Sequence, residues 1–199
     1  MRITKKYTVK LTEALKYKIL CWSQQFEEVA WLDSNEESNL QSKSTYKAIL
    51  AVDAFTAIKT DYHQAFDQLE EYQSKTKDWL FGYLTYDLKN GVERLNSNNF
   101  DDLHFPDLYF FQPKKVFLFM ENEVEIQYLH FVDDELAPDW EEIINYKENY
   151  KASEITSIVK IKSRTSKDSY FNKLHKILDH IQRGDIYEVN FCQEFYSEN

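Results

Sequence analysis

The chain has 199 residues, of which 43% are apolar and 16% aromatic, and it contains only three Gly and three Pro. This composition predicts a packed globular protein and argues against a disordered or low-complexity one. The formal net charge of −10 at pH 7 opposes binding to nucleic-acid phosphates, and no apolar run approaches the ~20 residues of a membrane span.

The N-terminal residues, MRITKKYTVKLTEAL, carry several charges but no apolar core of the kind that a secretory signal peptide requires. Cys21 and Cys192 are two isolated thiols and do not form a disulfide framework. We therefore expect a cytoplasmic protein.

The first predicted elements are a helix and a short strand near the N-terminus. Thr12 can cap a helix over residues 13–26, whose apolar face would be Leu15, Ile19, Trp22 and Phe26. Residues 29–35, VAWLDSN, predict a short apolar strand that runs into a polar turn.

The middle of the chain alternates between strand and helix signals. Residues 46–58 and 79–88 predict strands that are buried on both faces. Between them a second helix would present one apolar face, formed by Tyr62, Ala65, Phe66, Leu69 and Tyr72.

Past a polar loop at residues 89–102, a hairpin is expected, with strands at residues 116–120 and 124–129 around the turn Glu121-Asn122-Glu123. Trp140, Ile143 and Ile144 indicate a short helix. Residues 151–167 predict a connector between domains.

The last part of the chain predicts a helix followed by a strand. Thr165 and Asp168 match a capping box, and Gly184 suits the left-handed position that ends a helix. The helix face would be formed by Tyr170, Leu174, Ile177, Leu178 and Ile181. After Gly184 the apolar period becomes two, which places Tyr187, Val189, Phe191 and Phe195 on one face of a strand.

This helix and strand carry the clearest motif. Residues 184–195, GDIYEVNFCQEF, resemble the entry to the chorismate-binding domain of aminodeoxychorismate synthase component I and anthranilate synthase component I. The matching positions are Gly184, Asp185, Ile186, Tyr187, Val189 and Asn190. Two positions depart from the family pattern, since Glu188 replaces Gln and Glu194 replaces Arg.

Three upstream stretches are similar to the N-terminal domain of the same family, in the same order. They are WLDS at residues 31–34, FGYLTYDL at 81–88 with Glu93 beyond, and FPDL at 105–108 followed by the strand at Val116. The resemblance implies an α+β fold, a mainly antiparallel sheet or sandwich with surface helices, over residues 1–164. Residues 165–199 would be the truncated start of the chorismate-binding domain.

Within the family, Asn190 favours aminodeoxychorismate synthase component I, because anthranilate synthases more often carry Val there. The resemblance then implies amination of chorismate to 4-amino-4-deoxychorismate for p-aminobenzoate and folate synthesis, with ammonia from a glutamine amidotransferase component. Two alternatives stay open: anthranilate synthase component I, and a non-catalytic module that binds tryptophan or docks the amidotransferase.

The family's catalytic motifs are not found in this sequence. The resemblance implies Mg²⁺ held by glutamates late in the second domain and a lysine in a P-I-K-G-T motif. Pro106, Pro113 and Pro138 are followed by Asp, Lys and Asp instead. We therefore expect the N-terminal portion of a longer enzyme, with no catalytic residue, metal or cofactor in this chain.

The candidate binding residues are Leu32, Asp33 and Ser34. The resemblance implies an amino-acid pocket there, which in anthranilate synthases takes tryptophan, and a carboxylate beside a hydroxyl can bind an ammonium group. An ordinary Asx turn is the alternative. For Asp185 and Tyr187 we expect structural roles, at the helix–strand junction and in the core. An exposed apolar seam at residues 187–195 is expected to favour self-association.

Overall fold

The structure is a computed structural model that describes residues 1–35, 45–95, 100–101, 103–147 and 159–198. Its internal contacts divide the chain into two units, Met1–Glu148 and Asn149–Asn199.

The first unit is built on one antiparallel sheet. Its described strands are β1 (Arg2–Thr8), β2 (Val29–Asp33), β3 (Ala48–Thr60), β4 (Phe81–Leu84), β5 (Leu108–Phe119) and β6 (Glu123–Leu129). Its described α-helices are α1 (Glu13–Ser23), α2 (Ala65–Thr76), α3 (Lys89–Val92) and α4 (Leu136–Asn145), with 3₁₀ turns at Tyr86–Leu88 and His130–Glu135. The strand order is β1-β6-β5-β3-β2, and β4 also pairs with β5. This architecture confirms the predicted α+β fold with a mainly antiparallel sheet.

Strand β5 is the centre of the sheet. One edge of β5 pairs with β3 along its whole length, from Leu108 opposite Thr60 to Phe119 opposite Ala48. The other edge is shared, because β4 pairs with residues 108–111 and β6 pairs with residues 115–119. Residues 112–114 therefore lie in a gap between two partner strands.

The side chain of Arg2 occupies this gap and is only 8% exposed. Its guanidinium donates hydrogen bonds to the carbonyls of Pro113 (2.6 Å), Lys114 (3.2 Å) and Gln127 (3.2 Å). Its Nε donates to Asp78 Oδ1 at 2.8 Å. Arg2 thus supplies donors to backbone carbonyls beside the gap, and a buried backbone carbonyl without a donor is costly.

Helices α1 and α4 cover one face of the sheet. Thr12 caps α1 as predicted, since its Oγ1 accepts a hydrogen bond from the Leu15 amide at 3.2 Å. The helices contribute the buried residues Leu15, Ile19, Trp22, Leu136, Trp140 and Ile143, and the sheet contributes Leu50, Val52, Phe117, Phe119, Ile126 and Tyr128. The predicted helical spacing of Leu15, Ile19 and Trp22 is confirmed, although α1 ends three residues earlier than expected.

One charged side chain is buried between these helices and the sheet. Lys115 of β5 is 4% exposed, and its Nζ lies 2.6 Å from carboxylate oxygens of both Glu135 and Asp139. Tyr128 also donates to Asp139, at 2.7 Å. Burial lowers the pKa of Lys115, but the two carboxylates outweigh burial and hold the pKa above its ordinary value. This ion pair ties the start of α4 to the central strand.

The opposite face of the sheet has its own core. Ala51, Phe81, Phe111, Val116 and Leu118 form one buried cluster, and Ala65, Leu88 and Leu108 form another beside α2. Among the first five residues of β3, Ala48, Leu50, Ala51 and Val52 are buried and Ile49 is half-buried, which agrees with burial on both faces. Beyond Asp53, which has φ of 63°, the register shifts by one residue and the strand becomes more exposed, so that part of the prediction is wrong.

The predicted strand over residues 79–88 is mostly wrong. Only Phe81–Leu84 pairs with β5, and Tyr86–Leu88 form a 3₁₀ turn instead. Of the four strand residues, only Phe81 is buried. Gly82 explains why this strand can pair with β5, because a Cβ at this position would lie 1.9 Å from the Tyr109 carbonyl oxygen. The polar loop predicted over residues 89–102 begins with the short helix α3 instead.

The second unit contains β7 (Lys162–Ser163), α5 (Lys167–Arg183) and β8 (Phe195–Tyr196). Gly184 ends α5 at φ of 79°, as predicted. The N-terminal cap is Ser166, whose hydroxyl accepts from the Ser169 amide, so the predicted capping box of Thr165 and Asp168 is wrong. Most of the predicted connector, residues 151–158, lies outside the described residues.

The predicted strand after Gly184 is wrong over residues 187–194. Only Phe195 and Tyr196 form a strand, opposite Ser163 and Lys162. Tyr187 is 96% exposed, which contradicts its expected place in a core. The reason is physical: alternating apolar residues become a stable strand only where a partner supplies the backbone hydrogen bonds.

We expect Arg2→Met to lower the free energy of unfolding by about 2–4 kcal/mol, because it leaves carbonyls of β5 and β6 without donors and Asp78 without its ion pair. Urea denaturation of the variant and the parent measures this loss. Lys5→Met is the matched control, since it removes the same charge from an exposed position of β1 and should change stability little. Equal effects of the two substitutions would contradict the role given to Arg2.

The loss should also depend on pH. Burial raises the pKa of Asp78, but hydrogen bonds from Arg2 and Gln112 outweigh burial and hold the pKa below its ordinary value. A depressed carboxyl pKa stabilises the fold above the unfolded value and stops doing so as the pH falls through the folded value. The stability difference between parent and Arg2→Met should therefore be complete above about pH 5 and shrink as the pH falls below about 4, the ordinary carboxyl pKa. A difference that is constant over this range would contradict the prediction.

Candidate functional site

A charged cavity lies beside the carboxyl end of β2. Its volume is about 550 Å³, within the range of ordinary ligand pockets. Its walls are formed by Lys10, Leu11, Glu13, Lys16, Asp33, Ser34, Asn35, Lys47 and Glu121. These residues come from the β1–α1 connection, the first turns of α1, the end of β2, the residue before β3 and the β5–β6 turn.

Two of the three residues proposed from the sequence line this cavity, namely Asp33 and Ser34. Leu32 does not line it and is 55% exposed. Successive side chains of a strand point to opposite faces, so Leu32 and Asp33 cannot share one wall. Leu32 therefore lies outside this cavity, and its role in an amino-acid pocket stays a prediction.

The backbone at the end of β2 forms a tight turn around Asp33. The Asn35 amide donates to Asp33 Oδ1 at 2.9 Å, and Asn35 has φ of 50°. The Ser34 amide donates to the Lys47 carbonyl at 3.0 Å. The Asx turn that the sequence offered as an alternative is thus present, and the same turn places Asp33 in the cavity wall.

Asp33 is also paired with a lysine from α1. Lys16 Nζ lies 2.9 Å from Asp33 Oδ2 and 3.2 Å from Glu13 Oε1. The hydrogen bond from Lys16, assisted by the Asn35 amide, holds the pKa of Asp33 below its ordinary value. The two carboxylates in turn raise the pKa of Lys16. Asp33 is therefore ionised at neutral pH, and it accepts hydrogen bonds from Lys16, the Asn35 amide and the Trp31 side chain.

A second ion pair lies in the wall of the cavity. Lys47 Nζ lies 2.8 Å from Glu121 Oε2 and lowers the pKa of Glu121. Lys10 also lowers the pKa of Glu121 through its charge, although the pKa of Glu121 depends more on Lys47. Sequence reasoning missed Lys10, Lys16, Lys47 and Glu121, because they are distant from Asp33 along the chain and meet it only through the sheet and α1.

Two of the upstream family-like stretches are neighbours in the fold. Strand β4, from FGYLTYDL, pairs with the start of β5, which continues FPDL. Thr85 donates from its amide to the Asp107 carbonyl at 2.8 Å and from its hydroxyl to Asp107 Oδ1 at 3.1 Å. Asp87 is paired with Lys89 at 2.8 Å, and Tyr86 is 83% exposed. These contacts give both stretches a structural role.

The motif residues of the second unit stabilise the end of α5. Asp185 Oδ2 lies 2.7 Å from His180 Nδ1 and 2.8 Å from Arg183 Nη2, and the Asp185 amide donates to the His180 carbonyl. Asp185 therefore has the structural role expected of it, through side chains of the helix as well as through the backbone.

The described residues do not provide a metal site. Among them, no group of three or more His, Cys, Asp and Glu side chains is placed to hold an ion. The donors needed for the Mg²⁺ that the resemblance implies are thus not present in the described part of the chain. None of the described helices is long and apolar enough to cross a membrane.

Comparisons with known proteins agree with the motifs. The family model of the chorismate binding enzymes matches residues 17–199. An anthranilate synthase component I-like protein of Synechocystis sp. is 26% identical over 120 residues, which cover 60% of this chain and 24% of the relative. Anthranilate synthase component 1 of Thermus thermophilus is 29% identical over 119 residues, which cover 55% of this chain and 25% of the relative. The matched region thus spans about a quarter of the length of these relatives, and the chain belongs to the family of chorismate binding enzymes.

Proposed function

We propose that the chain is the N-terminal portion of an aminodeoxychorismate synthase component I. The observation that carries this proposal is the motif GDIYEVN at residues 184–190, at the end of a helix inside a chain that matches the chorismate binding enzymes. Asn190 favours this branch over anthranilate synthesis, where Val is more frequent at the matching position.

The proposed reaction replaces the 4-hydroxyl of chorismate with an amino group and yields 4-amino-4-deoxychorismate. The nitrogen would arrive as ammonia from a glutamine amidotransferase component. Mg²⁺, bound in the rest of such an enzyme, would supply Lewis-acid assistance to the substitution. We propose that this part of the chain contributes folding and binding rather than the chemical step; among its described residues, no group of three or more His, Cys, Asp and Glu side chains is placed to hold a metal.

We also propose that the cavity beside β2 is an amino-acid pocket. Asp33 is ionised, and the Ser34 hydroxyl stands beside it in the wall. Together they can accept hydrogen bonds from the ammonium group of a ligand. Such a pocket would regulate or stabilise the enzyme without taking part in the substitution.

Anthranilate synthase component I is the second candidate, because both relatives compared above carry anthranilate synthase names. That assignment shares the chorismate substrate and the ammonia donor, and it differs in the product. The two candidates are therefore separated by product analysis alone.

A longer protein that carries this chain together with the rest of a chorismate binding enzyme should convert chorismate, Mg²⁺ and ammonia into 4-amino-4-deoxychorismate. Chromatography with mass detection identifies the product, and a reaction without Mg²⁺ is the control. Anthranilate as the product would reject the first candidate in favour of the second. The 199-residue chain alone should leave chorismate unchanged, and turnover by it would contradict the non-catalytic role given to these residues.

A further inference from the structure

A second cavity lies between helix α2 and the central strand β5. Its volume is about 650 Å³, which is within the range of ordinary ligand pockets. The walls come from the last turns of α2, from the residues that connect α2 to β4, and from β5; they are Leu69, Gln73, Lys77, Asp78, Trp79, Leu80 and Phe110. None of these residues lines the cavity beside β2.

The cavity exists because α2 covers the sheet incompletely. Of the twelve residues of α2 only Ala65 is buried, and Phe66, which belongs to the predicted apolar face, is 47% exposed. Leu69, farther along the same face, is half-buried. Packed protein cores leave few voids larger than a water molecule, so the space beside Leu69 and Gln73 is a cleft that a ligand can enter.

The part of this cleft beside α2 and β5 is apolar. Four of the seven lining residues are apolar, namely Leu69, Trp79, Leu80 and Phe110, and all four are half-buried. The indole of Trp79 is held in place, since its Nε1 donates to Gln127 Oε1 at 3.0 Å and its ring stacks on Phe81 at a centroid distance of 6.0 Å. Two aromatic side chains in one wall favour a flat aromatic ligand.

A smaller polar cavity continues the cleft. Its volume is about 300 Å³, and it shares Lys77, Asp78 and Trp79 with the larger cavity. Its other walls are formed by Met1, Arg2, Thr76, Gln112 and Gln127. An apolar space that opens into a polar one fits a ligand with an apolar body and a polar end.

The sign of the ligand's charge follows from the two charged residues that both cavities share. Asp78 is already engaged, because its Oδ1 accepts from Arg2 Nε at 2.8 Å and its Oδ2 accepts from Gln112 Nε2 at 2.7 Å. Lys77 is exposed and forms no salt bridge with any residue in the described ranges of the chain. The uncompensated charge of the cleft is therefore positive.

The carbonyl end of α2 lies at the same place and carries a partial negative charge of about half a unit. The Lys77 amide reduces this effect, because it donates to the Gln73 carbonyl at 3.0 Å. The full charge of the Lys77 ammonium outweighs what remains. An anionic group can thus pair with Lys77 at the junction of the apolar and polar spaces.

We propose that the cavity between α2 and β5 binds a compact aromatic molecule with a single negative charge, its ring against Trp79 and Phe110 and its anionic group on Lys77. This site has no wall in common with the proposed amino-acid pocket and does not depend on the proposed reaction.

Titration calorimetry of the 199-residue chain with 2-naphthoate, 2-naphthamide and octanoate tests the ligand class. The amide keeps the ring without the charge, and octanoate keeps the charge without the ring. Naphthoate should bind at least about tenfold more tightly than either. An equal affinity for the amide would overturn the assigned charge, an equal affinity for octanoate would overturn the aromatic class, and no binding of naphthoate would overturn the site.

Two substitutions locate the binding. Lys77→Gln changes an exposed side chain and should weaken naphthoate by about tenfold, the effect of losing one charge-assisted contact, while naphthamide binding stays unchanged. Gln73→Trp places a large ring at an exposed position in the mouth of the cavity and should abolish binding, with circular dichroism showing that the fold is kept.

Lys75→Gln is the matched control, since it removes the same charge from the last turn of α2 outside this cavity. It should leave naphthoate binding unchanged. A loss with Lys75→Gln equal to that with Lys77→Gln, or full binding by Gln73→Trp, would overturn the placement of the ligand.

Discussion

The guanidinium of Arg2 donates hydrogen bonds to backbone carbonyls of β5 at the point where its two partner strands on one edge leave a gap. Strand β5 has a continuous partner on one edge, but β4 and β6 share the other edge and leave residues 112–114 between them. Pro113 and Lys114 keep carbonyls there that need donors, and Arg2 provides them while Asp78 neutralises its charge. An arginine suits this place because its planar fork offers five donors in fixed directions.

The same interaction influences the candidate site. Arg2 anchors the start of β1, and β1 runs antiparallel to β6 up to Thr8, two residues before Lys10 reaches the cavity. Lys115 acts comparably for the helix layer, since its pairing with Glu135 and Asp139 places α4 against the sheet and against α1. Two buried cations thus hold the elements from which the cavity walls extend.

Local patterns predicted the helices better than the strands. The Thr12 cap, the spacing of Leu15, Ile19 and Trp22, and the Gly184 stop are all present, because helical hydrogen bonds and caps form between residues near in sequence. Strand β1 was missed, since its central lysines conceal the apolar alternation. The strand expected at residues 187–194 was wrong, because a strand also depends on a partner that the pattern of one segment does not contain.

The sequence by itself determined the fold class, the boundaries of α1 and α5 to within a few residues, the chorismate-binding motif and the position of Asp33 and Ser34 at a strand end. Only the tertiary structure decided that Arg2 and Lys115 are buried and that Lys10, Lys16, Lys47 and Glu121 meet around Asp33. The reason is that charge and burial of a long side chain depend on partners supplied by distant segments. Periodicity reports only which face of its own element a residue occupies.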